Sequence, residues 1–268
     1  MPNEGNVFIS MDISAGEPTI LLNLCDDPTL RGVLFDYRGR RPEWENGLLM
    51  SDSLYVTLMS GTDVLGPLLR AMPPEWYDTW VTDNEKAKGW NAEFKKAYKV
   101  AKIATLALIY GLSPAGLVRQ FAENGLTLSL DDARKIYSQF WASIRYASKL
   151  KEKLVKEFEK AYKAKRALIS PFMFPLPTGK PKDALNRNVQ SSISSFLRFL
   201  WRKLFPNHLG VTMVCVVHDE LVVECKKELV EDFKKFFYEK LAELNTELNL
   251  KYPMAMGFAV GETFYEIH

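Results

Sequence analysis

Val216-Val217-His218-Asp219-Glu220-Leu221-Val222-Val223 sets three polar side chains between two apolar runs, and its reading decides the fold. Met213–Val217 is apolar throughout, and Leu221–Val223 is apolar again. The pattern predicts two buried strands joined by a tight turn, with the charges at the tip. A carboxylate pair on a rigid tip can hold a metal ion, because the scaffold fixes the oxygens before the ion arrives. A solvated turn that carries acids reads the same way, and the hairpin alone does not choose between the two.

A second acidic strand end lies far away in the sequence. Phe8-Ile9-Ser10-Met11-Asp12-Ile13-Ser14-Ala15-Gly16-Glu17 is a short apolar run ending in Asp12, with Glu17 five residues on. An apolar helical stretch, Thr19–Leu24, follows. Two aspartates on adjacent strand ends can bridge two divalent ions for in-line phosphoryl or nucleotidyl transfer. Alone, Asp12 reads equally as a helix N-cap.

Between these sites lies Lys102-Ile103-Ala104-Thr105-Leu106-Ala107-Leu108-Ile109-Tyr110-Gly111. Lys102, Leu106 and Tyr110 are spaced by four and share a helical face, and Gly111 is a natural helix stop. An ammonium and a phenol ring on one face suit a nucleoside triphosphate. An amphipathic helix with a snorkelling lysine and a core tyrosine fits the same residues.

In this order the three elements resemble motifs A, B and C of the family A DNA polymerases, the bacterial DNA polymerase I type. Asp12, Ser14 and Glu17 match Asp-x-Ser-x-x-Glu. Lys102, Tyr110 and Gly111 match the lysine helix that ends in Tyr-Gly. His218, Asp219 and Glu220 match the His-Asp-Glu hairpin. Gly116-Leu117-Val118-Arg119-Gln120, Asn186-Arg187-Asn188-Val189-Gln190 and Gly261-Glu262-Thr263-Phe264 extend the likeness. Two positions depart from the pattern, Tyr98 in place of an arginine and Leu106 in place of an aromatic ring. Asp52-Ser53-Leu54 stands where the family has Asp-x-His on a fingers helix.

The resemblance implies an α+β chain, an antiparallel-sheet polymerase palm with a largely helical fingers subdomain. Residues 1–18 and 167–268 are then palm, and residues 19–166 fingers. It implies two Mg²⁺ ions, with Mn²⁺ as a substitute, held by Asp12, Asp219 and the Ile13 carbonyl. Lys102 meets the triphosphate, and Glu17, Tyr110 and Leu106 shape the sugar pocket. Glu220 assists catalysis, His218 touches the primer end, and Asn186, Gln190 and Arg119 line the DNA track. The partners implied are primer-template DNA, dNTPs, and a second polypeptide supplying a thumb and possibly an exonuclease. In that split arrangement an apolar patch is expected near residues 1–8 and the helix at 227–247. Two other classes share some of these residues: a catalytically weakened polymerase-like assembly subunit, and a single-subunit RNA polymerase. The second predicts a small residue where Glu17 stands.

Composition sets the remaining bounds. The chain has 268 residues, 47% of them hydrophobic and 25% charged, enough for a sizeable core. Net charge is only +2, so a nucleic-acid footprint must be local. Candidates are Lys95–Lys102 and the run from Lys149 to Arg166, where Glu152, Glu157 and Glu159 leave a solvated face and a phosphate track equally open. Three cysteines make no disulfide framework. With a turn at His218-Asp219, Cys215 faces position 222 and Cys225 faces position 212, so those two do not pair. Reduced thiols, no signal peptide and no long apolar run point to a cytosolic protein with no membrane partner, and the resemblance implies that this is a bacterial or phage-infected host cytoplasm.

Coarse patterning predicts a strand over 7–12, helices over 17–25, 91–110 and 114–123, and one long helix from a Ser129/Asp132 cap to about Lys165. A helix at 183–205, the hairpin, a helix at 227–247 and a strand near 255–260 complete the pattern. Residues 31–95 read as irregular, with helical pieces near 52–60 and 63–71.

Overall fold

The computed structural model describes residues 2–32, 34, 58, 59, 62, 92–172, 175–176, 180–205 and 210–267, with backbone alone for 92–98. The expectations for 31–95, including Asp52 and Leu54, lie largely outside these residues, as do those for the side chains of Lys95 and Tyr98.

Strand β1 (Asn6–Ser14) is the centre of the main sheet. It pairs antiparallel with β5 (Glu220–Lys226) on one side, and on the other with β6 (Ala255–Met256) and β7 (Ala259–Gly261). β4 (Thr212–Val217) pairs with β5 and forms the outer edge. The period of two assigns the faces. Val7, Ile9, Met11 and Ile13 of β1, with Leu221, Val223 and Cys225 of β5, enter the main core. Phe8, Ser10 and Asp12 point the other way, as do Glu220 and Val222. Phe8 and Val222 are covered there by Ile267.

The main core lies between this sheet and two long helices, α7 (Ala184–Leu204) and α8 (Val230–Glu247). Helix α7 buries Leu185, Val189, Ile193, Phe196, Leu197, Leu200 and Leu204, a helical repeat, and α8 adds Phe233, Phe237, Leu241 and Leu244. Between β1 and α7 run α1 (Gly16–Cys25), α2 (Pro28–Arg31), α3 (Ala92–Ile109), α4 (Pro114–Glu123), α5 (Leu130–Ser143) and α6 (Arg145–Lys163). A two-stranded ladder, β2 (Leu168–Ile169) with β3 (Pro175–Leu176), and a 3-10 turn at Pro181–Asp183 lead into α7. A groove of about 530 Å³ between α8 and β6 is lined by Tyr238, Leu241, Leu250, Pro253 and Met254. Among the described residues no helix is long and apolar enough to cross a membrane, and Cys25, Cys215 and Cys225 are free thiols.

Three local expectations are corrected. The long helix is two helices, because the chain breaks at Ile144 (φ −116°, ψ 68°). Ile144 has no capping oxygen, and the fully buried Asp27 supplies one from 119 residues away. Its Oδ2 accepts from the Tyr146 and Ala147 N–H groups at 2.8 and 3.3 Å, and its Oδ1 caps α2 through Thr29 and Leu30 at 2.9 and 3.3 Å. Ser129 does cap α5, accepting from the Asp132 N–H at 3.0 Å. Second, Asp12 is no N-cap. It stays inside β1, and the chain turns into α1 at Ala15, which takes the left-handed conformation (φ 50°). Third, Cys215 does face Val222, but an irregularity between Met213 and Cys215 shifts the register by one, so Thr212 faces Glu224. The extra residue, Val214, points to solvent. Cys225 instead lies across from Val7.

The end of α3 is fixed by Gly111 (φ 83°), whose N–H bonds the Leu108 carbonyl at 3.0 Å while the Leu112 N–H reaches back to Ala107 at 2.9 Å. This six-to-one closure needs a left-handed residue. A methyl group on Gly111 would also stand 2.8 Å from the Lys182 carbonyl oxygen. Gly111→Ala is therefore expected to destabilise the protein by about 2 kcal/mol, measured by urea denaturation. An unchanged midpoint would show that this turn relaxes freely.

Candidate active site

The pairing of β1 with β5 carries residues 12 and 220 to the same point: they are direct partners in the register. β4 and β5 are joined by a two-residue turn, His218-Asp219, with His218 at φ 51°, a conformation a short hairpin demands of its first turn residue. The Ile13 N–H donates to the Asp219 carbonyl at 3.1 Å, and the Gly257 N–H to the Asp12 carbonyl at 2.7 Å. Asp12, Asp219 and Glu220 are thus set by backbone hydrogen bonds of the sheet rather than by a mobile loop.

The electrostatics follow from that crowding. Asp12 is exposed as a residue, yet its carboxyl is pushed up from 3.8 to about 7. Partial desolvation is the main cause, followed by the charges of Asp219, Glu220 and Glu17, against the lowering effect of the Ile13 N–H. Asp219 is raised too, by desolvation first and then by Glu17 and Glu220, while His218 opposes the shift. Glu220 is buried and accepts a short hydrogen bond from the Ser10 hydroxyl.

Ser10 is a site residue that motif reading missed. Its signal is the period of two, which puts it on the Asp12 face and diagonal to Glu220 across the strand pair. Ser10→Ala leaves a buried carboxylate short of a donor and is expected to destabilise by about 1–2 kcal/mol, read by chemical denaturation. A change below about 0.3 kcal/mol would show the bond to be without weight.

A second group assembles beside the first. The Tyr110 hydroxyl donates a short hydrogen bond to Glu17 Oε1, and Gln190 Nε2 reaches the same oxygen at 3.4 Å. Desolvation and the Glu17 carboxylate both raise the Tyr110 phenol, and Asp219 acts on it as well, which links this group to the hairpin tip. Residues from α1, the end of α3 and α7 thus meet around one carboxylate. Next to them, a cavity of about 410 Å³ is lined by Tyr110, Gly111, Arg119 and Lys182.

The remaining predicted residues sit around these two groups. Lys102 is exposed on α3, and Leu106 is half-buried against the core. Arg119 is exposed on α4 and His218 at the turn. Asn186 lies one helical turn before Gln190 on α7, and its Oδ1 is buried with no hydrogen-bond partner among the described residues.

Among the described residues no group of three or more His, Cys, Asp or Glu side chains is arranged as a metal site. The donors that do converge are oxygens, on carboxyls raised by desolvation first and then by one another's charge. Such a set fits a hard divalent cation such as Mg²⁺ or Mn²⁺.

A sequence model described as DNA polymerase family A matches residues 87–266. DNA polymerase I of Aquifex aeolicus is 26% identical over 175 residues, 63% of this chain and 30% of that protein. DNA polymerase I of Streptococcus pneumoniae is 23% identical over 255 residues, 84% of this chain and 27% of that protein. The chain therefore spans less than a third of the length of these relatives. The POL domain of Pol1 from M. smegmatis, in complex with DNA primer-template and dNTP, superposes with a TM-score of 0.67 at 16% identity, covering 99% of this chain and 41% of that one. The fold is accordingly an antiparallel-sheet polymerase palm with largely helical fingers. With the matched region running from the lysine helix through the His-Asp-Glu hairpin, the chain belongs to DNA polymerase family A.

Proposed function

We propose that this protein adds deoxynucleotides to a primer end under the direction of a DNA template. The observation that carries the reading is the β1–β5 register, which unites two acidic motifs more than 200 residues apart beside the Glu17–Tyr110–Gln190 group. Asp12, Asp219 and the Ile13 carbonyl are the groups to hold divalent metal. When bound, two such ions supply activation of the primer 3′-OH and stabilisation of the departing pyrophosphate. Lys102 binds the triphosphate as a point charge and donates a proton to the leaving group. Leu106, one turn further along α3, lies against the nucleotide. Glu17, tied down by Tyr110 and Gln190, leaves no room for a ribose 2′-OH. Glu220, held by Ser10, supports the tip. His218 meets the primer end, while Asn186, Gln190 and Arg119 follow the primer-template. In this reading residues 1–18 and 167–268 are palm and 19–166 are fingers.

Duplex grip normally rests on many phosphate contacts. With a net charge of +2, this chain takes that grip from a second polypeptide that supplies a thumb and possibly an exonuclease. The groove of about 530 Å³ on α8, on the helix where the sequence placed an apolar patch, supports that arrangement. Glu17→Ala is expected to narrow the preference for dNTP over rNTP about tenfold or more, read from single-nucleotide incorporation. Unchanged discrimination would remove Glu17 as the gate and favour the RNA polymerase reading.

A further inference from the structure

Arg145–Arg166 carries nine basic and three acidic side chains, a net +6 within a chain of net +2. Helix α6 sorts these charges by face. At about 100° per residue, Arg145, Lys149, Lys153, Lys156, Lys160 and Lys163 fall within an arc of about 80°. All six are exposed. Phe158, Ala147 and Ala161 take the opposite, buried face. Lys151, off the arc, is engaged elsewhere: its Nζ lies 4.0 Å from the Trp141 ring centroid and 2.6 Å from the Tyr137 hydroxyl. Glu157 pairs with Lys153 at 3.8 Å on the exposed surface, a contact worth little in water. The result is a cationic ridge about 27 Å long, with successive charges about 5–6 Å apart along the axis. Glu152 and Glu159 border the arc on one side and Glu157 on the other, but within it all six charges are of a single sign.

We propose that this ridge binds the phosphodiester backbone of single-stranded DNA, the unpaired template ahead of the primer end. The choice of a single strand rests on Tyr146. Its ring is 50% exposed at the border of the ridge, with Lys149 Nζ 5.9 Å from its centroid. An exposed ring beside cations is a stacking platform for a base, and only an unpaired strand offers bases to stack. Position agrees: α6 packs against the 3-10 turn at Pro181–Asp183, which supplies Lys182 to the cavity shared by Tyr110 and Arg119. The inference rests on the polymerase reading for the identity of the strand, but its binding test does not depend on catalysis.

The test compares two DNA probes, a blunt duplex and the same duplex with a 5′ overhang of twelve or so nucleotides, by fluorescence anisotropy across a salt series. The parent protein should gain affinity from the overhang. In Lys149→Gln/Lys153→Gln/Lys156→Gln/Lys160→Gln that gain should vanish, and the salt slope for the overhang probe should fall by about 3, at roughly 0.7 per phosphate contact. Tyr146→Ala should lower overhang affinity several-fold with little change in slope. A control removing four lysines outside the ridge, Lys226 and Lys227 at the end of β5 and Lys234 and Lys235 on α8, should leave the gain in place. Equal losses on blunt and overhang probes would assign the ridge to duplex, and an unchanged gain would show a solvated face or a protein-binding one; either overturns the proposal. Failure of the parent to extend primers with this binding result intact would count against the catalytic reading only.

Discussion

Asp12→Asn and Asp219→Asn are each expected to slow primer extension by roughly 10³-fold or more, about 4 kcal/mol of transition-state stabilisation, without loss of the fold. The stability of Asp12→Asn separates chemistry from unfolding. A carboxyl raised from 3.8 to about 7 holds its proton in the native state across that window, while the unfolded chain releases it. The contribution of this carboxyl to the stability of the metal-free protein is therefore fully present below about 4 and is lost as pH rises towards 7. An uncharged amide at position 12 removes that decline. Asp12→Asn should melt above the parent at pH 7 and alongside it at pH 4, with a gain of about 1 kcal/mol after allowing for solvent screening of an exposed side chain. Divalent metal should stabilise the parent and not the variant. Lower stability of Asp12→Asn at neutral pH would show that the carboxylate is a structural partner rather than a strained functional one.

The largest effect expected on folding is at Asp27. One buried carboxylate accepts four backbone hydrogen bonds, two at the start of α2 and two at the start of α6. Asp27→Ala uncaps both helices at once and leaves the N–H groups of Leu30 and Ala147 without an acceptor in the core. A loss of about 3 kcal/mol follows, measured by urea denaturation, with Asp27→Asn retaining part of the parent stability. A loss under about 1 kcal/mol would show that the two helices find other caps.

The legible and illegible parts of the sequence divide along physical lines. The hairpin turn at His218-Asp219, the stop at Gly111 and the Ser129 cap were readable because each is encoded within a few residues. The break at Ile144 was not: 145–163 continues a helical pattern, and the oxygen that reorganises it comes from Asp27. The irregularity between Met213 and Cys215 likewise leaves no mark in an apolar run where every residue suits a strand. At the site, Asp12, Asp219, Glu17 and Tyr110 were found as motif positions, but motifs do not give contacts. That Glu17 accepts from both Tyr110 and Gln190 depends on packing α1, α3 and α7 together. Ser10 acquires its role only once β1 is registered against β5. The family model matches residues 87–266, and Asp12 and Glu17 lie outside that region. Their place in the site rests on the sheet and on hydrogen bonds.

Single-nucleotide incorporation tests the central claim most directly. A primer-template at high concentration, so that weak duplex grip is not limiting, is supplied with Mg²⁺ and one dNTP at a time. The parent protein should add the nucleotide complementary to the templating base and discriminate against the other three, and Asp219→Asn should add none at a measurable rate. Incorporation that ignores the template base, or that survives Asp219→Asn unchanged, would contradict the assignment of this hairpin as the catalytic centre.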